Sequence, residues 1–137
     1  MDNYVLDACA LIAFFYDEEG ADSVESLLNR SEEGSIGLYL HKINLLEIYY
    51  NFRREYDRKT LTTIMEQIGN LPIIVVDGLS DEVFVEAGRL KSEYRVSLAD
   101  SIALAEAHAR NAFLVTADHH ELDIIDDREE FLFHWIR

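Results

Sequence analysis

The chain has 137 residues, 49% of them apolar and 28% charged, with a formal net charge of −15. That length and apolar content suit one globular domain over residues 1–137 and exclude a disordered tail. The acidity excludes a protein that holds nucleic acid or anionic lipid through overall surface charge, and the lone cysteine, Cys9, excludes a disulfide scaffold and any Cys-pair zinc site.

Tyr4-Val5-Leu6 is a short β-prone run that stops at Asp7. Leu11, Ile12, Phe14 and Phe15 predict a helix after it, broken at Asp17-Glu18-Glu19-Gly20. This opening carries Asp2 and Asp7 and no basic residue before Arg30, unlike a secretory leader, and its uncharged run Ala8–Tyr16 is too short to span a bilayer. A cytoplasmic protein with no membrane association is the expectation. Val24, Leu27 and Leu28 predict a second helix over 21–30, and Ile36 to Leu40 a second strand. Residues 41–56 and 61–68 are predicted helical. Leu71-Pro72-Ile73-Ile74-Val75-Val76 is apolar throughout, the pattern of a strand covered on both faces. Helices are predicted over 80–94 and 97–111, and strands over 112–115 and 131–136. Strands alternating with helices on short connections predict an α/β fold, a sandwich around a mostly parallel five-stranded sheet. In such sheets, sites form past the carboxyl ends of the strands where strand order reverses.

Four carboxylates fall at positions of that kind or inside apolar segments. Asp7 follows the first strand, Asp118 the fourth, and Asp100 lies in the first turn of an alanine-rich helix. Glu47 interrupts Ile43-Asn44-Leu45-Leu46-Glu47-Ile48-Tyr49-Tyr50-Asn51-Phe52, a segment apolar nearly all round and so expected to be buried. Its polar residues Asn44, Glu47 and Asn51 form one stripe at about 100° per residue, the wall of a polar cleft. Each acid taken singly also reads as a helix cap: Asp7 and Asp118 after their strands, Ser97 with Asp100 as a capping box, Asn44 with Glu47 as a cap pair. Capping leaves Glu47 without an explanation, and four carboxylates gathered together repel one another unless a cation compensates. An all-oxygen acidic cluster is a hard-cation site suited to Mg²⁺ or Mn²⁺, where a phosphodiester can be hydrolysed in line.

At these residues the sequence resembles the PIN-domain nucleases, and among them the VapC-type ribonuclease toxins of prokaryotic toxin–antitoxin pairs. V-L-D-A-C-A-L-I resembles the family's strand–Asp–helix opening, N-L-L-E-I its helix with the second acid, S-L-A-D-S-I-A-L-A-E-A its third motif and L-V-T-A-D its fourth. The resemblance implies a PIN-like three-layer sandwich and an Mg²⁺- or Mn²⁺-dependent endoribonuclease leaving 5′-phosphate and 3′-hydroxyl ends. It implies that Asp7, Asp100 and Asp118 hold metal, that Glu47 completes the site or orients water, and that the Thr116 hydroxyl fixes an acid. It also implies an RNA substrate, a homodimer and a cognate antitoxin protein. Ala8 and Cys9 stand where small hydroxyl residues are common in the family.

Arg53, Arg54, Arg58 and Lys59 are the densest basic patch, read either as RNA-phosphate contacts or as a solvated helix end. His119 and His120 are expected to be exposed turn residues, the alternative being that one reaches substrate or moves a proton; Glu121, Asp123, Asp126 and Asp127 are expected to be a solvated negative run, the alternative being that one adds a fifth carboxylate. Cys9 is expected to be a small buried hydrophobe and Trp135 a core residue. Two other classes compete with the nuclease. One is a binding module of the same fold whose acids only cap helices. The other is a receiver-like Mg²⁺-binding signalling domain, which normally needs an acidic pair after its first strand and a late Lys; here Asp7 stands alone and no Lys follows Lys91.

Overall fold

Side chains alternate across a strand, and the first strand shows where they go. In β1 (Asn3–Leu6), Tyr4 and Leu6 join one apolar cluster while Val5 joins another. β2 (Gly37–His41) and β4 (Phe113–Thr116) divide in the same way: Leu38, Leu40 and Val115 face the first cluster and Leu114 the second. Helices α1 (Ala8–Phe15), α2 (Ala21–Glu32), α3 (Lys42–Glu55) and α4 (Arg58–Gly69) complete the first cluster. Helices α5 (Asp81–Glu93), α6 (Leu98–Ala109) and α7 (His119–Arg128) complete the second. The outcome is a three-layer α/β/α sandwich, in a computed structural model that describes every residue from Met1 to Arg137.

β3 (Ile74–Val76) and β5 (Leu132–Trp135) bring the sheet to five strands in the order β3-β2-β1-β4-β5. Every pairing is parallel, so the sheet is entirely rather than mostly parallel. The chain steps outward from β1 through β2 to β3, then returns to build β4 and β5 on the other side. Strand order therefore reverses between β1 and β4, and the connections leaving their carboxyl ends part there to open a crevice. Leu6 is in register with Val115, and the Asp7 amide donates to the Val115 carbonyl at 3.1 Å. Asp7 and Thr116 are thereby delivered side by side to that crevice.

Three local expectations change. The apolar run at 71–76 is a strand only over Ile74–Val76, and it lies at a sheet edge with Ile74 57% exposed. Leu71 and Ile73 are apolar because they pack as loop residues against the first cluster. The segment 43–52 is not buried all round: only Asn44, Ile48 and Phe52 of α3 are buried, and Ile43, Leu46, Tyr49 and Tyr50 face outward. One face of α3 meets α1, α6 and β2, α4 packs beside it, and the outward face is only partly covered. His119 and His120 begin a helix instead of lying in a turn, because Leu122 and Ile125 give that acidic stretch a narrow apolar stripe against the second cluster.

Trp135 is half-buried on the edge strand, stacked between His119 and Phe133, with its indole N–H donating to Asp126. No helix is long and apolar enough to cross a membrane. Gly20 ties the α1–α2 turn to the end of the chain: its φ is +98°, and a Cβ there would lie 2.7 Å from the Ile136 carbonyl oxygen. Gly20→Ala should therefore cost roughly 1–3 kcal/mol. Gly34→Ala, at φ +79° with open space around it, should cost less. Urea midpoints of the two variants check this ordering.

Candidate metal centre

Each acid reaches the crevice by a different local device. Asp7 caps α1: its Oδ1 accepts from the Ala10 amide at 2.9 Å. The Cys9 thiol donates to the same carboxylate at 3.2 Å, accepts from the Ala117 amide at 3.4 Å, and lies 3.7 Å from the Thr116 hydroxyl. Cys9 is therefore a half-buried hydrogen-bonding partner of Asp7 and not simply a small hydrophobe; burial, then the Asp7 charge, push its thiol pKa up and keep it protonated. The Thr116 hydroxyl hydrogen-bonds Asp7 and accepts from the Asp118 amide at 3.1 Å. It thus braces the two acids that leave adjacent strands.

Asp118 caps α7, accepting from the Glu121 amide at 3.2 Å. Asp100 behaves differently. Ser97 caps α6 and accepts from the Asp100 amide at 3.1 Å, the first half of a capping box. The return bond, from the Ser97 amide, goes to Glu121 at 3.3 Å and not to the Asp100 carboxylate. Asp100 is thus buried, 7% exposed, with its carboxyl free of backbone duty and hydrogen-bonded to Glu121. The cap pair expected between Asn44 and Glu47 is absent as well: His41 caps α3, taking the Ile43 amide on Nδ1 at 3.1 Å, with Nε2 3.0 Å from the Gly78 carbonyl.

Oxygens of Asp100, Asp118 and Glu121 lie within 4.8 Å of one another. The electrostatics tie in the remaining acids. Burial raises Asp7 from 3.8 to about 6, with the Asp118 charge adding to it and hydrogen bonds from Thr116, Ala10 and Cys9 opposing it. Burial raises Glu47, and the charges of Asp7, Glu121 and Asp118 raise it further. Burial, the contact with Glu121 and the other acids drive the Asp100 pKa far up, whereas the contacts with Asp100 and Ser97 hold the less buried Glu121 below the usual carboxylate range. Asp100 and Asp118 thus meet Glu121 at the strand-order reversal, while Asp7 and Glu47 are linked to them by charge repulsion and not by that convergence. An all-oxygen set whose members resist ionising together is the chemistry a hard divalent cation relieves, so the residues present fit Mg²⁺ or Mn²⁺.

Glu121 belongs to the cluster and not to a solvated run. Its signal was Asp118-His119-His120-Glu121, an acidic capping-box spacing that announces a helix start. His119 points away: its ring lies 2.7 Å from Asp123 and 2.8 Å from the Arg137 carbonyl, fastening the end of the chain. Along α3, Asn44 is buried, Glu47 half-buried and Asn51 exposed, so the polar stripe runs from core to solvent as a cleft wall does. Beyond it, Arg53, Arg54, Arg58 and Lys59 form no ion pair, whereas Lys42, Arg89, Arg110 and Arg137 each do. Arg53 and Arg58 line a cleft of about 800 Å³ with Tyr49 and Tyr56. Arg54 lies over the Tyr50 ring at 5.3 Å.

Among solved structures the chain is similar to VapBC from Salmonella typhimurium in a DNA-bound crystal structure, at 15% identity and a TM-score of 0.75, covering 100% of both chains. It is similar to VapBC2 from Rickettsia felis bound to a DNA fragment from their promoter, at 15% identity and a TM-score of 0.74, over 97% of this chain and 98% of that one. A toxin–antitoxin complex from Klebsiella pneumoniae matches at 16% identity and a TM-score of 0.62, over 87% of this chain and 89% of that one. At such identities these likenesses establish the fold. No curated protein matches the sequence. The model of the PIN domain matches residues 4–127, a span that runs from β1 through α7 and contains all five acids, and the chain belongs to the PIN domain family.

Proposed function

We propose that residues 1–137 form a single divalent-metal-dependent endoribonuclease domain, the toxin of a toxin–antitoxin pair. The observation that carries this reading is the Asp100 carboxyl: buried, released from capping, and held with Asp118 and Glu121 where three carboxylates converge. PIN domains are typically metal-dependent nucleases, and the donor set here has the chemistry for Mg²⁺ or Mn²⁺. Asp7, Asp100, Asp118 and Glu121 would hold the cation. When bound, the cation supplies a Lewis acid for the phosphodiester and lowers the pKa of a water. Glu47, whose pKa is raised by burial and by the neighbouring acids, would orient a water and accept its proton. Thr116 and Cys9 keep Asp7 oriented through their hydrogen bonds.

The unpaired cations at the α3–α4 junction answer the net charge of −15. RNA phosphates meet Arg53, Arg54, Arg58 and Lys59 locally while the acidic remainder repels them. A homodimer brings two such patches to one groove, and a basic antitoxin segment would compete for the acidic crevice. The test is cleavage of transfer and ribosomal RNA by the purified chain in Mg²⁺, Mn²⁺ or chelator. Cleavage that needs the ion supports the reading; undiminished cleavage in EDTA, or none with either ion, overturns it. Charge reversal of Arg53 and Arg54 together should weaken RNA binding and lower the salt slope by roughly 0.7 per lost phosphate contact, about 1.4 in all. An unchanged slope would return the patch to a solvated helix end.

A further inference from the structure

Asn44 is fully buried, and neither its Nδ2 nor its Oδ1 has a hydrogen-bond partner; no other buried side chain in the molecule is left in that state. A primary amide removed from water without partners is costly, and native interiors rarely keep one. A leucine, with the same number of side-chain heavy atoms and the same branching, would carry no such penalty. The amide therefore stands where the chain itself supplies nothing for it to bind.

Its place in the fold says what it serves. Asn44 lies in the first turn of α3, four residues past Leu40 of β2. Leu40 is in register with Leu6, the residue before Asp7. α3 packs on α1 and on α6, and those helices begin with the Asp7 cap and with Asp100 in the first turn. On α3 itself, Asn44 is one turn before Glu47 and about 60° around the axis from it, on the side turned into the protein. The amide thus lies on the inner side of the wall whose outer side carries Glu47, past the carboxyl end of β2 as Asp7 and Asp118 lie past those of β1 and β4.

We propose that Asn44 is a positioning residue of the carboxylate crevice. Its amide holds water at the inner wall when the site is loaded, Oδ1 accepting from that water and Nδ2 donating to it. The inference rests on the reading of the crevice as a divalent-ion site and adds a neutral residue to an otherwise acidic set. A neutral amide suits this task, since it orients water without adding to the repulsion among five carboxylates.

Mn²⁺ titration calorimetry and thermal melts of the full chain, with and without Mn²⁺, test it on Asn44→Leu, Asn44→Ser and wild type. In metal-free buffer Asn44→Leu should melt at or above the wild-type temperature, because the unpaired amide is gone. Its Mn²⁺ affinity should fall about 10-fold or more, the loss typical of a group outside the coordination sphere, and its Mn²⁺-induced melting shift should shrink. Asn44→Ser, which leaves a hydroxyl and room for water, should bind Mn²⁺ more tightly than Asn44→Leu even if it is less stable. Wild-type Mn²⁺ affinity in Asn44→Leu, or equal weakening in both variants, overturns the role of the amide while leaving the crevice a metal site. Absence of Mn²⁺ binding by the wild type overturns the metal-site reading and this inference with it.

Discussion

Asp100→Asn is expected to abolish metal-dependent cleavage while leaving the metal-free protein at least as stable as wild type. The two effects share one cause. Asp100 is buried among acids, and the fold keeps it protonated at neutral pH, far above the range of a free carboxyl. Holding that proton at pH 7 opposes folding, because the unfolded chain would release it. The amide of Asn has the same shape, carries no proton to hold and still donates toward Glu121, so a gain of roughly 1–2 kcal/mol in the metal-free state is expected. No backbone bond is lost, since Ser97 and Glu121 do the capping at this turn. The loaded state pays the penalty: groups outside a coordination sphere are typically worth about 10–100-fold in affinity or activity, so removing a coordinating carboxylate should cost at least about 100-fold. Mn²⁺ calorimetry, RNA cleavage and metal-free urea melts on one preparation read all three quantities. A variant that cleaves normally, or that is several kcal/mol less stable without metal, contradicts the role given to Asp100.

The second large effect is a crossing of pH with metal. Asp7 is raised from 3.8 to about 6, chiefly by burial. A carboxyl whose folded pKa lies above its unfolded value contributes stability that is fully present below the unfolded value and is lost as pH rises through the folded one. Between pH 5 and pH 8 the metal-free protein should thus lose about 1.4 kcal/mol through Asp7 alone. Asp100 and Glu47, both raised, act in the same direction. Glu129, lowered by its hydrogen bonds with Arg89 and Tyr94, acts oppositely below this window, and His134, lowered by burial, acts oppositely within it. A divalent ion binds the ionised carboxylates and displaces their protons, so it should restore the lost stability at pH 8 and do far less at pH 5. At about 100 times its dissociation constant it adds about 2.7 kcal/mol, a melting shift on the order of 10 °C for a chain of this size. Melts at pH 5 and pH 8 with and without Mn²⁺ measure it; equal shifts at both values would show that the acids are not the ligands.

These two expectations depend on different amounts of three-dimensional information. The alternation of elements, the acids at Asp7 and Asp118 directly after strands, and the oddity of Glu47 in an apolar segment are local patterns, legible because strand and helix periods are written along the chain. Glu121 was hidden because the stretch from His119 to Arg128 offers only Leu122 and Ile125 as inward residues, and its acids dominate the pattern. The exposure of Tyr49, Tyr50 and Leu46 was hidden for the opposite reason: apolar periodicity shows that a face can be buried, not that the chain supplies something to cover it.

The sequence by itself determined the fold class and the kinds of side chain that leave each strand end, since both follow from short-range sterics and hydrophobic spacing. Only the tertiary structure decided which carboxylates cap helices and which are released. Glu121 takes the Ser97 amide across 24 positions, and that bond frees Asp100. The wholly parallel register, the reversal of strand order between β1 and β4, and the unpaired amide of Asn44 beneath Glu47 were likewise settled by packing. Contacts between residues far apart in the chain depend on how the layers close, and no local spacing encodes that.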